Sequence, residues 1–277
     1  MKIKMLSLFS GIGSPEVALK RLNVDLDLVG FSEIDKYAIK SYCAIHNVDE
    51  GLNLGDIRFI DAEKLPKGID LITHGSPCQD FSVAGNNAGG DKESGTRSSL
   101  MWYTVDIVRI CKPKYVIWEN VKNVLSKKHK HNFERYIEEL KDIGYKNHYK
   151  ILNSKNYGIP QNRERVFVIS IRGDIDKDFM FPKEFEENAK LIDFLDEEVE
   201  SKYYLNDEKI KVLVSNIDGT IDIDKKIIGT CNKNNKLDRC TRELIFNSKY
   251  EIPTLCASDY KDPKKLLIPT GGVTFGA

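Results

Sequence analysis

The chain has no excess charge of either sign: 42 Lys and Arg balance 42 Asp and Glu over 277 residues. No global basic field is available, so nucleic-acid contacts must come from local patches. Cysteine is sparse and unpaired in pattern. The six residues Cys43, Cys78, Cys111, Cys231, Cys240 and Cys256 contain no C-x-x-C. That excludes the usual zinc frameworks and predicts reduced thiols in the cytoplasm, with no metal. The apolar run after Met1-Lys2-Ile3-Lys4 is far too short for a signal peptide or a membrane span. Internal repeats and low-complexity tracts are lacking as well.

What is present alternates between strand and helix. Short buried strands are expected at 5–9, 26–31, 69–73, 115–118 and 166–171, and helices at 15–22, 36–46, 100–111 and 133–143. This alternation predicts an α/β fold with a doubly wound, mostly parallel sheet. A polar, Gly-rich stretch at 85–99 has no apolar period and reads as a lid or binding loop. From about residue 173 the chain turns acidic, then rich in Asn and Lys. We therefore expect a catalytic domain over 1–175 and a smaller, irregular region over 176–277.

Four places carry chemistry. Gly75-Ser76-Pro77-Cys78-Gln79 sets a cysteine after Gly and Pro at a strand end, where open α/β sheets collect ligands and catalytic groups. A chance loop cysteine is the bland alternative. Phe9-Ser10-Gly11-Ile12-Gly13 joins a strand to a helix, and its glycines serve either close approach of a ligand or tight packing. The full G-x-G-x-x-G pattern is absent, which disfavours NAD. Glu33, ending the second strand, suits the hydroxyls of a ribose. Asp56, expected to end a third βα unit, could accept from an adenine amino group or simply cap a turn. Glu119 ends a strand on the same expected sheet edge as Cys78, and Arg163 and Arg165 stand two residues apart. A thiolate nucleophile, a carboxyl group for a ring nitrogen and a guanidinium for a carbonyl oxygen form one coherent set. For Glu119 and the arginines the alternative is a structural ion pair. A thiol hydrolase is disfavoured, since the one histidine beside Cys78, His74, lies inside the strand run.

The ordered set Leu8-Phe9-Ser10-Gly11-Ile12-Gly13, Ser32-Glu33-Ile34-Asp35, Gly55-Asp56-Ile57, Gly75-Ser76-Pro77-Cys78-Gln79-Asp80-Phe81-Ser82, Glu119-Asn120-Val121 and Asn156-Tyr157-Gly158-Ile159-Pro160-Gln161-Asn162-Arg163-Glu164-Arg165 resembles the DNA cytosine-5 methyltransferases. The resemblance implies a Rossmann-like domain that binds S-adenosyl-L-methionine. Adenine would lie near Phe9, Asp56 and Ile57, ribose near Glu33, and the methionine part against Gly11, Gly13 and Pro77, with Ile34 also binding the cofactor and Leu100 helping to close the pocket. It further implies that Cys78 adds to carbon 6 of a flipped-out cytosine. Glu119 would contact ring nitrogen 3, and Arg163 or Arg165 the carbonyl oxygen at position 2. Gln79, Ser82, Lys92 and Arg97 would meet DNA, with the 85–99 segment as lid.

Ser76-Pro77-Cys78, in place of the Pro-Pro-Cys of the RNA-directed branch, fits double-stranded DNA as partner. Basic stretches at 122–130 and 225–242 suit phosphate contacts. Ile228-Gly229-Thr230 and Ile252-Pro253-Thr254-Leu255 resemble the steadier parts of the family's target-recognition region. Its last two motifs have no counterpart here, so three expectations stand: a split enzyme completed by a second polypeptide that would supply them, a truncated product, or a shortened enzyme that closes its pocket differently. The competing expectations are a catalytically silent, DNA-binding remnant and an RNA cytosine-5 methyltransferase.

Overall fold

The computed structural model describes residues 2–77, 90–92, 94–185, 189–204, 224–230, 244–255, 265–269 and 273–276. Cys78, Gln79 and Ser82 lie outside the described residues, as do residues 85–89 and 93 of the stretch assigned to a lid. The chain divides into two compact units. The first takes in residues 1–152 and 165–181, and the second takes in 153–164 and 182–277.

The first unit is built on strands β1 (Ile3–Leu8), β2 (Leu26–Ser32), β3 (Leu71–His74), β4 (Tyr115–Val121), β5 (Tyr145–Asn153) and, after the short β6 (Gln161–Asn162) of the second unit, β7 (Glu164–Arg172). The six-stranded sheet has the order β2-β1-β3-β4-β7-β5. Its β2, β1, β3 and β4 are parallel, and β7 runs antiparallel to β4. Helices α1 (Ser14–Arg21), α2 (Lys36–His46), α3 (Met101–Cys111) and α4 (Lys130–Asp142) make the connections. The sheet is therefore the expected α/β, mostly parallel one. Because β2 and β3 flank β1 on opposite sides, the strand order reverses at β1, and ligands of open α/β sheets bind outside the carboxyl ends at such a point.

Local chemistry accounts for the elements. Pro15 begins α1 where its missing N–H costs nothing, and Asp35 caps α2 by accepting from the Tyr37 and Ala38 amides. The core joins Leu6, Leu8 and Ile72 of the central strands to Met101, Val105 and Val108 of α3, and to Phe133, Tyr136 and Leu140 of α4.

Three expectations need correction. Phe9 is outside β1, in the left-handed region with φ 53°. No third βα unit ends at Asp56. A single bridge from Phe31 to Asn53 and a 3-10 turn over Ile57–Phe59 stand there instead. And β5, which the sequence reading passed over, is an edge strand whose half-exposed residues blur the alternation.

The second unit adds β8 (Ile227–Thr230), β9 (Leu244–Asn247), β10 (Ile252–Pro253), β11 (Lys265–Pro269) and β12 (Val273–Gly276). Four of these strands form a sheet in the order β12-β11-β9-β8, and β10 pairs with β6. Leu191, Leu244, Phe246 and Ile252 form a small core of their own. Among the described residues no helix is long and apolar enough to cross a membrane.

Candidate active site

The carboxyl ends of β1, β2, β3 and β4 lie side by side, since Leu8 pairs with Ser32 and with His74, and His74 pairs with Trp118. Residues just beyond these ends therefore face one edge. They are the Phe9–Gly13 turn, Glu33 and the Gly75-Ser76-Pro77 loop, joined by Glu119 in the part of β4 that runs on past its pairing with β3.

The glycine turn divides its labour. Gly11 and Gly13 both have positive φ, 54° and 81°. A Cβ at Gly13 would collide with the His46 imidazole and the Tyr42 ring, so this glycine serves packing of α1 on α2. A Cβ at Gly11 would meet nothing within 4 Å. Here the backbone itself is presented to open space, as a ligand-facing turn requires.

Glu33 is held before any ligand arrives. Its Oε2 accepts from the Gly11 amide at 2.9 Å, and its Oε1 accepts from the Ile34 and Asp35 amides at 2.8 and 2.9 Å. Its own backbone is bracketed by Asn53, which accepts from the Glu33 amide and donates to its carbonyl. Ile34 beside it is 72% exposed. Asp56 caps the 3-10 turn and pairs with Arg58 at 2.6 Å, the turn-capping alternative foreseen for it. Its hydrogen bonds to the Arg58 side chain hold its carboxyl below the usual range. Ile57 is buried in the core, and Leu100 packs against that core from the side.

The loop leading to Cys78 is anchored from β4. The Ser76 hydroxyl accepts from the Trp118 indole at 3.0 Å and from Asn120 Nδ2 at 3.3 Å. The same amide nitrogen donates to the Ser76 carbonyl at 3.2 Å. Further along, the Pro77 carbonyl accepts from Ser98 at 2.9 Å. Trp118, Asn120 and Ser76 are all buried. Their clamp is a tertiary arrangement for which the sequence offered only the neighbouring Glu119-Asn120 pair as a signal.

Glu119 alternates with these residues and so faces away from them. Its Oε1 lies 3.1 Å from Arg165 Nε, an ion pair across the β4–β7 ladder. Its Oε2 would be 3.9 Å from a Cβ at Gly75, so the carboxylate stands against the loop that runs into Cys78. His74 cannot serve as a base for that cysteine. Its Nε2 is 2.8 Å from the Tyr136 hydroxyl, and burial pushes its pKa down to about 3.

From Gly90 onward the chain is pinned again. The Gly90 carbonyl accepts from Trp102, and Asp91 lies 2.7 Å from His131 Nε2. Lys92 is half-buried in this segment, and Arg97 is exposed at the start of a 3-10 turn that ends at Leu100.

Arg163 belongs to the second unit. Its amide donates to Asn153 Oδ1 at 3.0 Å, and its carbonyl accepts from the Ser154 amide at 3.1 Å. The segment before it is propped by β10, where Ile252 pairs with Gln161 and the Thr254 hydroxyl donates to the Asn162 carbonyl at 3.0 Å. The Ile252-Pro253-Thr254 stretch, read from sequence as part of target recognition, thus also supports the strand that leads into Arg163.

Residues 3–266 match the family described as C-5 cytosine-specific DNA methylase. The chain is 38% identical over 260 residues to the orphan methyltransferase M.Rho11sI of Bacillus phage rho11s, covering 83% of this chain and 51% of that protein. It is 39% identical to the orphan methyltransferase M.SPRI of Bacillus phage SPR, covering 78% of this chain and 55% of the relative. The type II methyltransferase M2.ScrFI of Lactococcus lactis subsp. cremoris is 36% identical over 75% of this chain and 71% of its own length. The chain thus spans about half the length of the two phage relatives. Among solved structures, the Entamoeba histolytica methyltransferase EhMeth superposes with a TM-score of 0.70 at 16% identity, over 98% of this chain and 79% of that one. The Dnmt2 methyltransferase of S. pombe does so with a TM-score of 0.66 at 18% identity, over 97% and 77%. At these identities the two structures speak for the fold alone.

Proposed function

Because the chain belongs to the C-5 cytosine-specific DNA methylase family, we propose that it transfers a methyl group from S-adenosylmethionine to carbon 5 of a cytosine in double-stranded DNA. The observation that carries this reading is Glu119: an ion-paired carboxylate standing against the anchored loop that leads into Cys78.

The residues at the sheet edge fit the methyl donor. Gly11 offers bare backbone next to open space, Glu33 is a pre-oriented carboxylate for ribose hydroxyls, and Ile34 is an exposed apolar side chain for a purine face. Gly13 and Pro77 would border the methionine part. When bound, S-adenosylmethionine supplies an electrophilic methyl carbon.

The work of the chain is to make carbon 5 nucleophilic. In an aromatic cytosine it is not. The Cys78 thiolate forms a bond to carbon 6, the electron pair of the 5,6 double bond moves to carbon 5, and Glu119, in its acid form, donates a hydrogen bond to ring nitrogen 3, onto which the added negative charge spreads. Arg165 keeps the Glu119 carboxyl group oriented for this task. After methylation the proton on carbon 5 leaves, its electron pair restores the double bond, and the carbon–sulfur bond breaks to return the thiolate. The base must leave the stack to be reached, at a cost of roughly a few kcal/mol.

The test is methyl transfer from labelled S-adenosylmethionine to unmethylated DNA, with Cys78→Ser beside it. DNA carrying 5-fluorocytosine should trap a covalent adduct, since the proton to be lost is replaced. No transfer and no adduct would sink the proposal.

A further inference from the structure

We propose that His46, at the far end of α2, is the positioning residue of the glycine turn: its hydrogen bond to the Ile12 carbonyl sets the face that Gly11–Gly13 presents to S-adenosylmethionine. The inference rests on the cofactor reading above and adds to it a residue outside every motif that suggested it.

The hydrogen-bond partners define the imidazole's tautomer. Nε2 lies 3.0 Å from the Ile12 carbonyl oxygen, which can only accept, so Nε2 carries the proton. Nδ1 lies 3.4 Å from the Lys20 ammonium, which can only donate, so Nδ1 is the bare acceptor. Both contacts select one state of the ring, and one orientation.

Packing holds that orientation. The ring fills the space a side chain at residue 13 would need. Tyr42 lies against it with centroids 4.4 Å apart, and Tyr42 in turn stacks on Phe31 at 4.1 Å. The Tyr42 hydroxyl donates to Glu16 Oε1 at 2.8 Å, which ties this group back to the first turn of α1. Burial, with the Glu16 carboxylate next, holds the Tyr42 hydroxyl protonated far above its usual range, so it remains a donor.

The turn is therefore strapped from two sides. Glu33 takes the Gly11 amide, and His46 gives to the Ile12 carbonyl. One helix links the straps. Glu33 Oε1 accepts from the amide of Asp35, the residue that caps the start of α2, and His46 is the last residue of that helix. A turn with positive φ at Phe9, Gly11 and Gly13 has wide conformational freedom when unrestrained. Releasing one strap lowers the fraction of molecules with a binding-competent turn, and apparent affinity falls by that fraction.

The experiment is calorimetric titration of the full chain with S-adenosylmethionine, comparing the parent with His46→Leu and His46→Gln. Leucine keeps bulk but cannot donate, whereas glutamine places an N–H near the position of Nε2. We expect His46→Leu to weaken binding roughly tenfold, the scale of one buried hydrogen bond. His46→Gln should stay within about threefold of the parent. In turnover, KM for the cofactor should rise while KM for DNA and kcat hold, a split that general loosening of the fold does not produce. A folded His46→Leu protein that binds like the parent overturns the assignment. So do equal losses in the two variants that follow their melting temperatures. Should His46→Leu fail to fold, Lys20→Met removes the Nδ1 partner, and with it a contact to the His46 carbonyl, while leaving the imidazole in place: a weaker cofactor affinity supports the assignment and an unchanged one overturns it. The 15N shifts of the His46 ring test the tautomer without any ligand. A protonated Nδ1 at neutral pH refutes the geometry. A parent chain with the expected tautomer that binds no S-adenosylmethionine overturns the cofactor reading and this role with it.

Discussion

Ser76→Ala isolates the clamp that holds the nucleophile's loop. The hydroxyl accepts two hydrogen bonds, but their loss is unequal. Asn120 keeps the Ser76 carbonyl at 3.2 Å, so its amide stays satisfied. The Trp118 indole N–H keeps nothing, in a side chain with no exposed surface. An orphaned buried donor costs about 1–3 kcal/mol. For a domain of this size, each kcal/mol lowers Tm by roughly 2–4 °C, which predicts a loss of about 2–12 °C in the transition of the first unit. Cofactor affinity should hold, because the glycine turn and Glu33 are untouched. Methyl transfer should fall, since Ser76 sits two residues before Cys78 and misplacement by about 1 Å can cost ~100-fold. Pairing Ser76→Ala with Trp118→Phe removes donor and acceptor together, and the double variant should recover about 1 kcal/mol relative to the sum of the singles. Denaturant unfolding of the four proteins gives that coupling directly. Strict additivity, or a Ser76→Ala protein as stable and active as the parent, would refute the clamp.

The two glycines should separate binding from folding. Gly13→Ala drives a methyl group into His46 and should lower stability by about 2 kcal/mol or more, read from urea midpoints. Gly11→Ala meets no neighbour, so it should cost only the ~1–2 kcal/mol of a left-handed residue while weakening S-adenosylmethionine binding in protein that stays folded, whereas any binding loss in Gly13→Ala should accompany its displacement of His46; an unchanged affinity in Gly11→Ala would contradict the division. Lys122, Lys127 and Lys128 are exposed just past Glu119. Changing all three to Gln should flatten the plot of log affinity for DNA against log salt by about 0.9 per lysine that meets a phosphate, and an unchanged slope would remove this segment from the interface. Burial pushes His74 down to about 3, whereas an unfolded histidine takes up its proton near ~6.5. Within that window the unfolded chain binds the extra proton. Stability from His74 is thus complete above it and falls as pH drops, by up to about 1.4 kcal/mol per unit. His74→Gln should show a shallower decline of unfolding free energy between pH 6 and 4, and a decline as steep as the parent's would count against a neutral buried imidazole.

The parallel core was legible because its signals are local. Pro15 and Asp35 mark helix starts, and the short apolar runs at β1, β3 and β4 are bounded by turn residues. Partnership was not legible. That Gly13 serves packing and Gly11 faces open space depends on His46, more than thirty residues away. Asp56 by itself read first as a turn cap and second as an adenine contact; the structure shows it capping a turn, with Arg58 on its carboxylate. Glu119 and Arg165 read from sequence as catalytic candidates or as ion-pair members, and only the antiparallel register of β4 and β7 shows that they pair with each other. The missed β5 shows the same limit from the other side. An edge strand needs no continuous apolar face, so its residues carry little pattern.

These partnerships have a common direction. The Glu33 carboxylate, the Ser76 hydroxyl and the Glu119 carboxylate are each oriented by donors from a different element: the glycine turn, β4 and β7. A carboxylate at a strand end would otherwise sample several rotamers in water, and ordering it at the moment of binding would cost side-chain entropy. Here that cost is met during folding. A ligand arriving at this edge meets groups already aimed, and affinity then depends on fit more than on rearrangement. The arrangement also explains why the supporting residues Asn53, Trp118, Asn120 and His46 are buried or half-buried while Ile34 stands exposed. Replacing an exposed contact such as Ile34 should therefore change binding with little effect on stability, whereas replacing a support such as Asn120 should change both.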